Sequence, residues 1–179
     1  MALFVTAFKD TPSRGILRFL GRSYACALGR GGVTRNKSEG DGCTPAGTFP
    51  LRRALLRPDT PGATLAGGLF PRRMLGRDEG WSDDPRDPLY NQNIRLPRRW
   101  SHEKLWRHDE VYDVIIPLGY NDITPRPGRG SAIFFHLASA DYGPTEGCIA
   151  VSRSDMCEIW PRLAPGMEMT ISPWCAVRK

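Results

Sequence analysis

Apolar and polar residues alternate along much of this chain with a period of two, the pattern of strands that bury one face. LFVTAF (3–8), ILRFL (16–20) and SYACALG (23–29) are the first such runs. Gly21-Arg22, between the second and third, predicts a hairpin turn. TFPLRRALL (48–56) resumes the pattern. Three denser apolar runs follow: VYDVIIPLGY (111–120), SAIFFHL (131–137) and CIAV (148–151). Strands this apolar are expected at the centre of a sheet, covered on both faces. MEMTIS (167–172) reads as a closing strand.

A helical period occurs once. Ser152-Arg153-Ser154-Asp155 has the spacing of a capping box, and Met156, Ile159, Trp160 and Leu163 then fall on one helical face. Such a stripe packs against a core, and Pro161 should shorten or kink the helix. The pattern therefore predicts a mostly β fold with a short helix or two. From about 57 to 104 the periodicity fails. That stretch is rich in Pro, Arg, Asp and Gly, with Trp81, Tyr90 and Trp100 as sparse anchors. It is expected to be a long irregular insertion laid over the core, in the manner of a lid or binding loop.

At 179 residues the chain is long enough to bury one core, so 1–179 is read as a single domain. Its 16 Pro and 19 Gly suit a turn-rich β protein and argue against a helical bundle. The net charge of +6, carried mostly by Arg, favours anionic partners. The basic clusters are only pairs (Arg52-Arg53, Arg72-Arg73, Arg98-Arg99), without interleaved aromatics, so no nucleic-acid partner is expected. Five cysteines (Cys26, Cys43, Cys148, Cys157, Cys175) form no CxxC pair. A complete disulfide framework is not expected, and no metal site is indicated by Cys or His spacing. MALFVTAFKDTPSRG has no basic leader and is read as the first strand, not a secretory signal. No apolar stretch reaches the roughly 20 residues of a membrane span, and a monomer is expected.

Candidate chemistry lies in FFHLASADYGPTEGCIAV (134–151). His136 ends one apolar run, Cys148 begins the next, and eleven residues separate them. A thiol is a weak nucleophile until a base takes its proton, and an imidazole on a neighbouring strand is such a base. Gly147 leaves the thiol uncovered and permits a turn whose backbone N–H groups can face an oxyanion. The alternative is a His and a Cys buried in the core and inert. Their placement at strand ends and the polar loop LASADYGPTEG between them favour a cleft. Tyr142 and Thr145 in that loop, and Tyr120 and Asn121 after a strong strand, are candidate substrate contacts. His102 and His108, six apart, do not share a helical face and are read as surface or loop-anchoring residues. Asp83-Asp84 beside Trp81 is a possible carboxylate pair, or it caps and solvates the insertion.

HLASADYGPTEGCIAV resembles the active-site segment of the YkuD-type L,D-transpeptidases. Thr145-Glu146-Gly147-Cys148 occupies the four core positions of the family's Ser/Thr-His-Gly-Cys motif. About a hundred residues upstream, in the family's order, GDGCTPAGTFPL (40–51) is similar to its Gly-x-x-Thr-Pro-x-Gly-x-Phe block. GWSDDPRDPLYN (80–91) and YDVIIPLGYN (112–121) look like segments of a compact bacterial subgroup, so the resemblance covers most of the chain. Glu146 stands where the family usually has His, and Ala150 where it has Arg or Asn; Arg153 is the nearby arginine that could stand in. The resemblance implies an L,D-transpeptidase-like β-sandwich with mixed sheets. It implies that Cys148 attacks a peptidoglycan stem peptide, that His136 moves the protons, and that Gly147 contributes to the oxyanion hole. An amine from a neighbouring stem then resolves the thioester into a cross-link, without cofactor. It also implies a periplasmic or cell-envelope location. Hydrolysis of the same stems by a carboxypeptidase or endopeptidase, and a non-catalytic module binding an anionic polymer, are the alternatives.

Overall fold

The computed structural model describes residues 1–60 and 68–174; Cys175 lies outside the described residues. In chain order the strands are β1 (Ala2–Ala7), β2 (Arg14–Phe19), β3 (Arg22–Ala27), β4 (Val33–Thr34), β5 (Thr44–Pro45), β6 (Gly47–Pro50), β7 (Ala54–Leu56) and β8 (Arg72–Met74). They continue with β9 (Glu79–Ser82), β10 (Asn93–Arg95), β11 (His102–Lys104), β12 (Val114–Pro117), β13 (Phe134–Leu137), β14 (Ile149–Val151) and β15 (Glu168–Ser172). One helix, α1 (Arg153–Ile159), and short 3-10 turns at Glu110–Tyr112 and Trp160–Arg162 complete the described elements.

The alternation in β1 and β2 is that of half-buried strands. Leu3, Val5 and Ala7 point inward while Phe4 faces out, and Leu17 and Phe19 are buried from β2. The hairpin turn between β2 and β3 falls on Leu20-Gly21, one residue before the expected Gly21-Arg22, because Phe19 pairs with Arg22. Both central residues have positive φ (49° and 77°), as a two-residue turn matched to strand twist demands. β12, β13 and β14 are buried at every position, as their apolar density predicts.

Ten strands join in one mixed sheet, in the order β6-β15-β1-β2-β3-β14-β13-β12-β7-β8. Twist accumulated over so many strands favours a curled sheet over a flat one. The run from β6 to β7 draws its two halves together. Leu51 N–H bonds to the Met167 carbonyl beside β15 (2.9 Å), and Arg52 N–H to the Pro117 carbonyl of β12 (2.8 Å). The core sits inside this curl, where Leu3, Leu17, Leu28, Ile116, Phe135 and Trp160 belong to one buried cluster. Ser152 caps α1 through a bond from Asp155 N–H to Ser152 Oγ (3.0 Å), and Met156, Ile159, Trp160 and Leu163 are all buried.

The 57–104 stretch is irregular over most of its described length, as its composition predicts, but it also contains short strands that the failed periodicity did not reveal. Over its described residues it carries β8, which pairs with β7, and a separate antiparallel sheet in the order β10-β9-β11. Buried polar contacts replace the missing apolar period. Asp87, with a fully buried side chain, accepts from Ser82 Oγ (2.8 Å), Leu89 N–H (2.9 Å) and Arg98 (2.8 Å). Glu79 accepts from Arg73 (2.8 Å) and Gly76 N–H (2.7 Å). Among the described residues no helix is long and apolar enough to cross a membrane.

Candidate active site

β13 and β14 are parallel neighbours, with His136 opposite Ala150. Cys148, just ahead of β14, therefore stands beside Phe134, whose N–H points at its Sγ (3.3 Å). The thiol donates in turn to the Ala132 carbonyl (3.2 Å). Phe134 and His136 share one face of β13, and His136 and Cys148 line the same cleft, of about 490 Å³.

His136 Nδ1 lies 2.8 Å from the Leu137 carbonyl. A carbonyl only accepts, so Nδ1 carries the proton and Nε2 keeps its lone pair for a proton from elsewhere. The Tyr112 ring packs edge-on against the imidazole, with centroids 5.0 Å apart. Burial pushes His136 down to about 4, against the carbonyls of Leu137 and Val111, which favour its charged form. Burial also pushes the Cys148 thiol up to about 12, helped by the Glu103 charge and opposed by the Phe134 N–H, Lys37 and Tyr112. The resting pair is thus a neutral thiol beside a neutral imidazole.

Thr145 pins the loop that presents the thiol. Its N–H bonds to the Leu28 carbonyl (2.9 Å) and its carbonyl accepts from Arg30 N–H (2.9 Å). Its hydroxyl donates to the Cys148 carbonyl (2.7 Å) and accepts from Gly147 N–H (3.2 Å). The Gly147 N–H, an expected oxyanion donor, is therefore held by that hydroxyl in this state. Gly147 has φ 138°, and a Cβ there would lie 2.7 Å from the Cys43 carbonyl oxygen. The two motif blocks, about a hundred residues apart in sequence, are in contact at this point.

Of the residues singled out from the sequence, His136, Thr145 and Cys148 line the cleft, as do Asp83, Glu146 and Ala150, whereas Gly147 is not among the lining residues. Tyr120, Asn121 and Tyr142 do not line it either. Tyr120 packs edge-on against Phe49 (5.4 Å) and its hydroxyl donates to the Arg129 carbonyl. The Asn121 amide holds its own loop, donating to the Gly130 carbonyl (2.9 Å) and accepting from Arg126 N–H (2.8 Å). The Tyr142 hydroxyl donates to Asp155 (3.3 Å). Arg153 does not stand in for the family's arginine: it pairs with the buried Asp113 and with Glu110, tying α1 to the turn before β12. Glu146 pairs with Arg30, both well exposed, so the pair adds little stability. His102 Nδ1 meets the Trp100 carbonyl (2.7 Å), a loop anchor, and His108 is exposed.

Several residues in the cleft wall, and one behind it, were not marked as site residues by the sequence. Lys37 is a buried lysine whose Nζ contacts Asp41 Oδ1 (2.5 Å) and the Ser38 carbonyl (2.9 Å). The Tyr112 hydroxyl donates to Glu103 (2.8 Å). Asn91, 4% exposed, links the insertion to the backbone beside the Cys148 thiol. Its Oδ1 accepts from Trp81 Nε1 (2.9 Å) and from Ala132 N–H (3.0 Å), the residue whose carbonyl holds the thiol. Only its place in GWSDDPRDPLYN marked it.

The family model of the YkuD L,D-transpeptidase catalytic domain matches residues 14–171. No curated protein matches the chain. Among solved structures, L,D-transpeptidase 1 of Mycobacterium tuberculosis aligns over 95% of this chain and 61% of its own, with 13% identity and a TM-score of 0.39. An L,D-transpeptidase from Mycobacterium smegmatis aligns over 95% and 58%, with 12% identity and a TM-score of 0.40. The chain thus spans about three fifths of the length of those two proteins.

Proposed function

Because this chain belongs to the L,D-transpeptidase catalytic domain family, with 14–171 matched, we propose that it transfers peptidoglycan stem peptides through a thioester on Cys148. The observation that carries this reading is His136, its Nδ1 on the Leu137 carbonyl, on the strand beside Cys148, both facing one cleft. As Sγ attacks the carbonyl of the diamino acid, Nε2 of His136 takes the thiol proton. Both groups start neutral, so proton transfer accompanies attack, and no resting thiolate is needed. The imidazolium is costly where it is buried, and it passes its proton to the departing amine of the terminal D-residue. A backbone donor at 147–148 serves the oxyanion once Gly147 N–H leaves the Thr145 hydroxyl. An acceptor amine then resolves the thioester, and Thr145 shapes the rim past which both substrates pass. The substrate places this chemistry in the cell envelope.

The test is acylation by a carbapenem, read by mass spectrometry on the intact protein. One adduct at Cys148, lost in Cys148→Ala while the exposed Cys157 stays free, is the expected result. An adduct retained in Cys148→Ala refutes the assignment. Product analysis with and without an acceptor amine then distinguishes transfer from hydrolysis.

A further inference from the structure

The small sheet of the insertion delivers two carboxylates to the cleft. Glu103 on β11 pairs across the ladder with Trp81 on β9. Asp83 directly follows β9, and its N–H bonds to the Ser101 carbonyl (3.4 Å), so the alternation of the ladder carries on and sets Asp83 on the Glu103 side and Asp84 on the other. Asp84 turns away to a two-point pair with Arg86 (2.8 and 2.9 Å), whereas Asp83 and Glu103 both line the cleft with Cys148 and His136. Asp83 Oδ1 is buried and has no hydrogen-bond partner among the described residues. An acceptor left so costs free energy that an incoming donor would recover. The cleft as a whole has the opposite sign to the protein. In a chain of net charge +6, its walls carry the carboxylates Glu39, Asp83, Glu103, Asp109 and Glu146 against Lys37 and Arg107.

Acyl transfer to an amine has a proton left over. An acceptor R–NH3⁺ and the thioester Cys148–S–CO–R′ give R–NH–CO–R′, the Cys148 thiol and one H⁺. The nitrogen loses two protons. One returns to sulfur by way of His136, which begins this half-reaction neutral. The other needs a second base, and it must leave first, because an ammonium has no lone pair with which to attack.

We propose that Asp83 and Glu103 form the acceptor subsite of the cleft, holding the ammonium group of the incoming amine and taking its first proton. The proposal rests on the acyl-transfer reading above and assigns the half of that reaction which His136 does not cover. Glu103 is suited to the proton. Burial and the Asp83 charge raise it above the ordinary carboxylate range, while the Tyr112 hydroxyl and Arg107 (3.9 Å) act the other way. Water as acceptor brings no surplus proton, so the pair favours cross-linking over hydrolysis.

The experiment compares wild type with Asp83→Asn and Glu103→Gln, which keep side-chain size. Carbapenem acylation of Cys148 is the control for the first half-reaction: it is expected to stay within about twofold in Asp83→Asn, and not to fall below the wild-type rate in Glu103→Gln, which removes a charge that pushes the thiol up. Failure of that control in the wild type counts against the acyl-transfer reading itself. The readout is the ratio of amide to hydrolysis product from a stem tetrapeptide with an alkyl-ammonium acceptor. At pH 7 it is expected to fall at least tenfold in either variant, and to recover as the pH rises toward the acceptor's own pKa. Hydroxylamine, largely neutral at pH 7, should lose less than about twofold. An unchanged ratio, or equal losses for both acceptors, overturns the proposal. The wild type alone gives a further test that needs no variant to fold. Its ratio is expected to change less than about threefold between pH 7 and 9, whereas a tenfold rise per pH unit, the mark of unassisted free amine, overturns the assignment.

Discussion

Cys26 and Cys148 are both pushed up to about 12, and burial is the main cause for each. Their acidity does not separate them; their surroundings do. Cys26 is enclosed in the main core, while Cys148 stands at the wall of a cleft with an imidazole beside it. His136 carries the clearest pH signature. An imidazole in the unfolded chain titrates near 6.5, and in the fold burial pushes this one down to about 4. Between those values the unfolded chain binds the extra proton. The stability linked to His136 is therefore fully present above 6.5 and lost as the pH falls toward 4, by about 3 kcal/mol at most. Urea midpoints measured from pH 7 to 4 should fall more steeply in wild type than in His136→Gln. Parallel slopes would mean that the ring is not held neutral. Carboxylates held low by partners, such as Asp41 and Asp87, lose their contribution at lower pH, so they do not mimic this window.

Among elements, the insertion sheet reaches the backbone that holds the Cys148 thiol through Asn91. Its amide also donates to the carbonyls of Tyr120 (3.0 Å) and Asn121 (2.8 Å), so one side chain ties β9, Ala132 and the loop after β12 together. Removing it strands several buried partners, at about 1–3 kcal/mol each before relaxation. Asn91→Ala is expected to lower the melting temperature by several degrees and to slow carbapenem acylation of Cys148 at least tenfold. Acylation at the wild-type rate in the folded variant would mean that the insertion does not position the thiol. The strands of this sheet are three or four residues long and held by Asp87, Glu79 and Asn91, so they leave no hydrophobic period to read.

For the whole molecule, closure of the sheet makes distant segments depend on one another. β15, near the end of the chain, lies between β1 and β6, and the run from β6 to β7 is bonded to both β15 and β12. No group of strands can leave without opening the shared core. Urea unfolding is expected to give one transition, coincident by far-UV circular dichroism and tryptophan fluorescence. The fluorescence reports on both halves, since Trp160 lies in the main core and Trp81 packs against Phe134 beside the cleft (5.1 Å). Two separated transitions would show that the insertion folds on its own.

The sequence by itself determined the β class, the central strands, the single capped helix and the Thr-Glu-Gly-Cys segment with its upstream His. Each of these is local, and a period of two, a period of 3.6 or the spacing of a motif records it directly. Tertiary structure alone decided which polar residues surround the thiol. Lys37, Asp83, Glu103 and Tyr112 come from separate segments and meet at one cleft only in the folded chain. It also placed Tyr120, Asn121, Tyr142 and Arg153 elsewhere, because a polar side chain takes whichever partner its fold brings within hydrogen-bond distance, and sequence spacing does not record that partner.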